Sequence, residues 1–131
     1  MTLALQVLTG QIVDDTARIY KVLAGECMYK HRRLFDDIAR HLSGGSVRQK
    51  YVLIAREFFG DGEINWGRIV TLLAFAIYMQ RRFRIDLANE TSSIIEERFY
   101  YSILPRRESE LQRNDWSAYI QTAMTNFIRM F

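Results

Sequence analysis

From Ile69 to Met79 the chain reads Ile-Val-Thr-Leu-Leu-Ala-Phe-Ala-Ile-Tyr-Met, apolar at every position except Thr71. A helix that is apolar all round must be enclosed, either by other helices or by lipid. This run falls well short of the roughly 20 residues that span a bilayer, and Gln80-Arg81-Arg82 ends it. The remaining solution is a central helix, about residues 65–82, surrounded by other helices. That makes the expected fold all-α, a bundle built around one buried helix.

The flanking segments supply the wrapping. Residues 2–13 place Leu5, Leu8 and Ile12 on one helical face, and Asp14-Asp15-Thr16 offers N-caps for the next helix. Across 16–42, Ile19, Val22, Leu23, Leu34, Phe35, Ile38 and Leu42 recur at helical spacing, with a bend expected near Gly25. Gly44-Gly45-Ser46 is a stop followed by a cap. A helix from about 47 to 59 lines up Val47, Tyr51, Ile54 and Phe58, and Gly60-Asp61-Gly62 ends it. Beyond the central helix, Leu87, Ile94, Ile95, Phe99 and Ile103 form one more amphipathic stretch up to Pro105. A last helix, capped by Asn114 or Asp115, carries Trp116, Tyr119, Ile120, Ala123, Phe127, Ile128 and Phe131. No linker, repeat or low-complexity tract interrupts residues 1–131, so a single domain is expected.

Composition narrows the function classes. With 49% hydrophobic and 25% charged residues, the chain is too apolar for disorder. The net charge of +3 and pI near 9.2 hint at nucleic acid or anionic lipid. The cations are interleaved with acids, however, as in Arg32-Arg33 before Asp36-Asp37, which describes a solvated mixed surface. A single cysteine, Cys27, excludes an intrachain disulfide and a thiolate-rich zinc site and points to a reducing compartment. No secretory signal pattern is present. A soluble cytoplasmic protein without an integral membrane span is expected.

Catalysis finds no foothold. His31 and His41 lie too far apart along the chain for a metal pair, Cys27 and His31 lack an orienting carboxylate, and Gly60-Asp61-Gly62 lacks the Lys-Ser/Thr of a phosphate loop. Neither an enzyme activity nor a cofactor or metal is expected.

Residues 58–70, Phe-Phe-Gly-Asp-Gly-Glu-Ile-Asn-Trp-Gly-Arg-Ile-Val, are different in kind. After a glycine turn, Asn65 can cap the central helix and Trp66 can anchor its start. Gly67 leaves room for another backbone to approach. Arg68, beside that gap, can take an incoming carboxylate in a bidentate pair. A structural glycine and a solvated arginine would equally satisfy the pattern.

This stretch resembles the first homology region of the Bcl-2 family, whose hallmark is Asn-Trp-Gly-Arg after an acidic-glycine turn. Residues 28–42 are similar to the second helix of the survival proteins, and Pro105 with Asn114-Asp115-Trp116 stands near the second homology region. The resemblance implies a helical bundle whose surface groove receives the BH3 helix of a pro-apoptotic protein such as Bim, Bak or Bax. It assigns Arg68 to the ligand's aspartate, Gly67 to close packing of the ligand, and Asn65 to a hydrogen bond near the same carboxylate. It places Phe35, Ile38, Ile54, Phe58, Val70 and Phe75 along the groove, positions for which plain core packing is the competing reading.

Departures from the family pattern set the direction. Lys21 stands where the third homology region has a leucine, four residues before Gly25-Glu26, and Trp116 is kept without the paired glycines of the second region. The long loop between the first two helices and the C-terminal anchor of cellular members have no counterpart. A compact chain of this kind resembles the virus-encoded inhibitors of host cell death, with contact to mitochondria only through partners. The rival expectations are a pro-apoptotic member acting at the mitochondrial membrane and, from a different class, a basic nucleic-acid-binding module using Arg81, Arg82 and Arg84. An uncovered apolar groove also invites a homodimer.

Overall fold

The computed structural model describes residues 1–42, 44–58 and 66–99. Among them are six helices and no strand: α1 (Leu3–Thr9), α2 (Asp15–Lys30), α3 (Arg32–Leu42), α4 (Val47–Phe58), α5 (Trp66–Phe83) and α6 (Ala88–Phe99). The helix expected after Asn114, with Pro105 and Trp116, lies outside the described residues.

The α5 helix is central for the reason its sequence demands. Ile69, Val70, Leu72, Leu73, Ala74, Phe75, Ala76 and Met79 are all buried, from every side of the helix. The surrounding helices each bury one stripe against it. The α2 stripe is Ala17, Tyr20, Leu23, Ala24 and Cys27, and the α3 stripe is Phe35, Ile38, Ala39 and Leu42. No helix among the described residues is long and apolar enough to cross a membrane.

Local signals set most boundaries. Asp14 caps α2, its carboxylate accepting from the Ala17 amide at 2.7 Å. That bond and one from Gln6 hold the Asp14 carboxyl below its usual range. Ser46 caps α4 through the Gln49 amide, after Gly44 and Gly45 turn the chain at φ +92° and +74°. The first helix is shorter than expected. Gly10 ends it in the left-handed region at φ +81°, so Ile12 packs on the core from the connection rather than from the helix.

The bend expected at Gly25 is not there. Gly25 lies inside α2, and the chain breaks at His31, whose backbone leaves helical geometry at φ −110°, ψ 21°. The two stripes are in phase along the sequence, Ala17, Tyr20 and Ala24 recurring as Phe35, Ile38 and Leu42 after about five helical turns, so the break changes the direction of the helix and not its buried face. The break at His31 lets the two segments take different directions, each with its stripe in the core.

Polar side chains tie the helix ends together. Buried Gln6 donates to the Met1 carbonyl and to Asp14, and accepts from the Val13 and Asp14 amides. It thereby holds the Gly10–Asp14 connection closed over α1. Gln80 bridges the Leu8 carbonyl and the Leu87 amide. Thr2 meets Ser92 at 2.7 Å, and buried Tyr51 meets Thr91 at 2.7 Å. Arg48 pairs with Glu90 at 2.6 Å, joining α4 to α6.

Candidate functional site

The site begins where α5 begins. Trp66 is the first residue of the helix and packs, partly buried, on the core. Gly67 is buried, and its carbonyl accepts the Thr71 hydroxyl at 2.8 Å within the first turn. Arg68 follows half-exposed, the residue of this turn whose charge can reach solvent or a ligand. Asn65 and the Phe58 side chain lie outside the described residues.

Two helical turns along, on the same stripe as Arg68, stands Phe75, about 10 Å further at 1.5 Å per residue. Phe75 is the hub of an aromatic cluster that draws three helices together. Its ring centroid lies 5.5 Å from Phe35 of α3 and 5.7 Å from Tyr51 of α4. Phe35 also meets Tyr78 at 5.6 Å. All these spacings fall in the favourable range for tilted aromatic pairs. Ile38, Ile54 and Val70 belong with these rings to the common hydrophobic core. Phe35, Ile38, Ile54, Val70 and Phe75 all stand in the hydrophobic core, each less than a tenth exposed. They form a closed seam beneath α3 and α4, with Arg68 at its α5 end.

The α3 helix is held over this seam by a polar contact that sequence reasoning missed. The Tyr78 hydroxyl donates to Asp36, and Arg82 donates to the Tyr78 oxygen at 3.0 Å while standing 3.5 Å from the Asp36 carboxylate. Burial, then the bond to Asp36, raises the Tyr78 pKa, so the phenol remains a proton donor. Asp36-Asp37 reads in sequence as surface charge. The available signal was the i, i+4 spacing of Tyr78 and Arg82, but the third partner lies on another helix.

The residues considered for catalysis are placed otherwise. Cys27 is fully buried against α5, and burial pushes its thiol up to about 12, with Thr71 offsetting only part. A thiol held protonated is a poor nucleophile. Burial and the adjacent Lys30 lower the His31 pKa. His41 is exposed, its ring Nδ1 2.8 Å from the Asp37 carbonyl. The arrangement is a cation at a helix start, a small buried residue beside it, and a closed apolar seam between three helices.

Comparison with known proteins identifies the family. Residues 21–129 match the family model for apoptosis regulator proteins of the Bcl-2 family. Bcl-2-like protein 1 of human, rat and mouse is 38% identical over 48 residues, 35% of this chain and 20% of the relative. The match thus spans about a fifth of the length of these curated relatives. No solved structure matches the chain. With most of its length fitting the family model and its helices wrapped around one buried apolar helix, the chain belongs to the Bcl-2 family of apoptosis regulators.

Proposed function

We propose that this protein inhibits apoptosis by sequestering the BH3 helix of pro-apoptotic family members in a groove between α3, α4 and α5. The observation that carries the reading is the alignment of half-exposed Arg68 with the Phe35–Phe75–Ile54 seam on one side of α5. A ligand helix anchors at i, i+3/4 and i+7, which suits a cation at one end of an apolar strip. Arg68 takes the ligand's aspartate, Gly67 gives its backbone room, and Asn65 hydrogen-bonds nearby. Because the seam is closed, the ligand enters by displacing α3, whose polar hold on α5 is half-exposed.

Receptor rather than donor is favoured by α2. Its apolar stripe is committed to α5, and Lys21 occupies an exposed position where a donor helix needs leucine. The direct Gly10–Asp14 connection supports the compact, virus-encoded type, acting in the host cytoplasm and meeting mitochondria through its partners.

Fluorescence titration with a labelled BH3 peptide tests this. Arg68→Ala should weaken binding by roughly 2–5 kcal/mol, about 30-fold or more. Unchanged peptide affinity in a folded Arg68→Ala variant would sink the groove reading. Salt-sensitive binding of duplex DNA with no peptide binding would favour the nucleic-acid module instead.

A further inference from the structure

Away from α4, an open pocket of about 440 Å³ lies where α2, α3 and the last turns of α5 meet. Its α5 wall presents Arg81 and Arg82, and its α3 wall presents Arg32 and Asp36, with Tyr29 and Met28 closing the third side. The volume is that of a small-ligand site. Three guanidiniums therefore face one carboxylate.

The charges are unevenly answered. Asp36 is engaged by the Tyr78 hydroxyl and by Arg82. The Arg32 guanidinium lies 5.8 Å from the centre of the Tyr29 ring, within cation–π range, and has no ion-pair partner among the described residues. Arg81 is exposed and has no ion-pair partner among the described residues. Two forks with spare donors thus stand on facing walls. Tyr29, 76% exposed, lays an uncovered aromatic surface beside them.

We propose that this pocket binds a soluble phosphate monoester, its dianion held between Arg32 and Arg81 and its organic part resting on Tyr29 and Met28. A carboxylate satisfies one guanidinium fork. A phosphate has three terminal oxygens and close to two charges, matching two forks and the uncompensated charge. The pocket's concavity and the Asp36 carboxylate on its wall suit a discrete ligand better than a flat anionic bilayer, which attracts clustered surface cations without a cavity. The pocket lies toward the other end of α5 from Arg68 and shares with the seam the Asp36–Tyr78–Arg82 contact that holds α3 in place.

Calorimetric titration with phenyl phosphate at physiological ionic strength tests the assignment. Saturable one-to-one binding is expected, weakened about tenfold or more in Arg32→Gln and in Arg81→Gln, and unchanged in Arg18→Gln. Arg18 is an exposed α2 cation paired with Asp15 and serves as the charge-matched control. Inorganic phosphate should bind more weakly through the same two residues. Phenyl phosphate affinity should also fall as pH drops below about 6, where the second phosphate proton is regained. Circular dichroism verifies that these variants remain folded. The proposal is overturned by the absence of saturable binding, or by an equal loss in Arg18→Gln. It is equally overturned if Arg32 and Arg81 mediate cosedimentation with equimolar phosphatidylglycerol–phosphatidylcholine vesicles while phenyl phosphate does not bind.

Discussion

The α2 and α3 helices are successive parts of one amphipathic stretch, and both rest on α5, but they rest on it differently. The α2 helix lies along α5 through Ala17, Tyr20, Ala24 and Cys27, each fully buried. Small residues bring the two backbones close, and the seam is dry. The α3 helix buries Phe35, Ile38, Ala39 and Leu42 in the core and adds at its edge an Asp36–Tyr78–Arg82 contact that stands partly in water, with side chains of Asp36 and Arg82 about two-fifths exposed. A dry seam opens only at the cost of all its burial. A contact with a solvated edge can exchange its partners for water. The α2–α5 pair is thus the frame of the molecule, and α3 is the helix whose hold on it includes a solvated edge.

Four measurements press on that contrast. The largest effect is expected from Tyr20→Ala, which empties the middle of the α2–α5 seam and should cost roughly 3–5 kcal/mol, a large share of the stability of a small domain. Urea unfolding would show it, and a cost under about 1 kcal/mol would deny α2 its role as frame. Phe35→Ala should cost less, about 2–3 kcal/mol, at or below the low end for a buried aromatic, because α3 can settle into the space. Amide exchange should accelerate across α3 and not across α2; equal acceleration in both would make them one unit.

Asp36→Asn comes next, removing a half-exposed charge for less than about 1 kcal/mol. Faster exchange in α3 with little change in the unfolding midpoint is the expected signature. The smallest effect concerns the hinge. Burial, followed by Lys30, lowers the His31 pKa in the folded chain, so the unfolded chain binds the proton first as pH falls. The stability gained from a neutral ring is complete above the unfolded value of about 6.5. It is lost progressively as pH drops from there through the lower folded value. His31→Gln should flatten the dependence of Tm on pH in that window, and an unaltered slope would acquit the hinge.

These differences were only partly legible in the sequence. The central helix was plain because the 69–79 run leaves no polar face, and Asp14, Gly44-Gly45 and Ser46 announced their turns through local chemistry that needs no partner. The break at His31 was not legible. Gly25 is the conspicuous weak point, but a helix tolerates it at modest cost, and a Cβ there would meet nothing within 4 Å. The stripes of the two segments are in phase, so the pattern itself does not announce the break; it follows from where α3 lies in the assembled bundle. The same holds for Asp36 and Tyr78, 42 positions apart: each reads alone as surface charge or core aromatic. At the candidate site, Trp66, Gly67 and Arg68 were legible because four consecutive residues carry the motif. That Phe35, Val70 and Phe75 lie closed beneath α3 could be read only from the packing of three helices.

The Gln6 clasp has a consequence for control. Its amide spends both ends on the Gly10–Asp14 connection and the chain start, so that strip is drawn tight against α1 with no slack for a protease cleft or a modifying enzyme to lift. Lengthening it would forfeit several bonds to one side chain at once. The spacing between the first two helices is thus fixed by a single side chain.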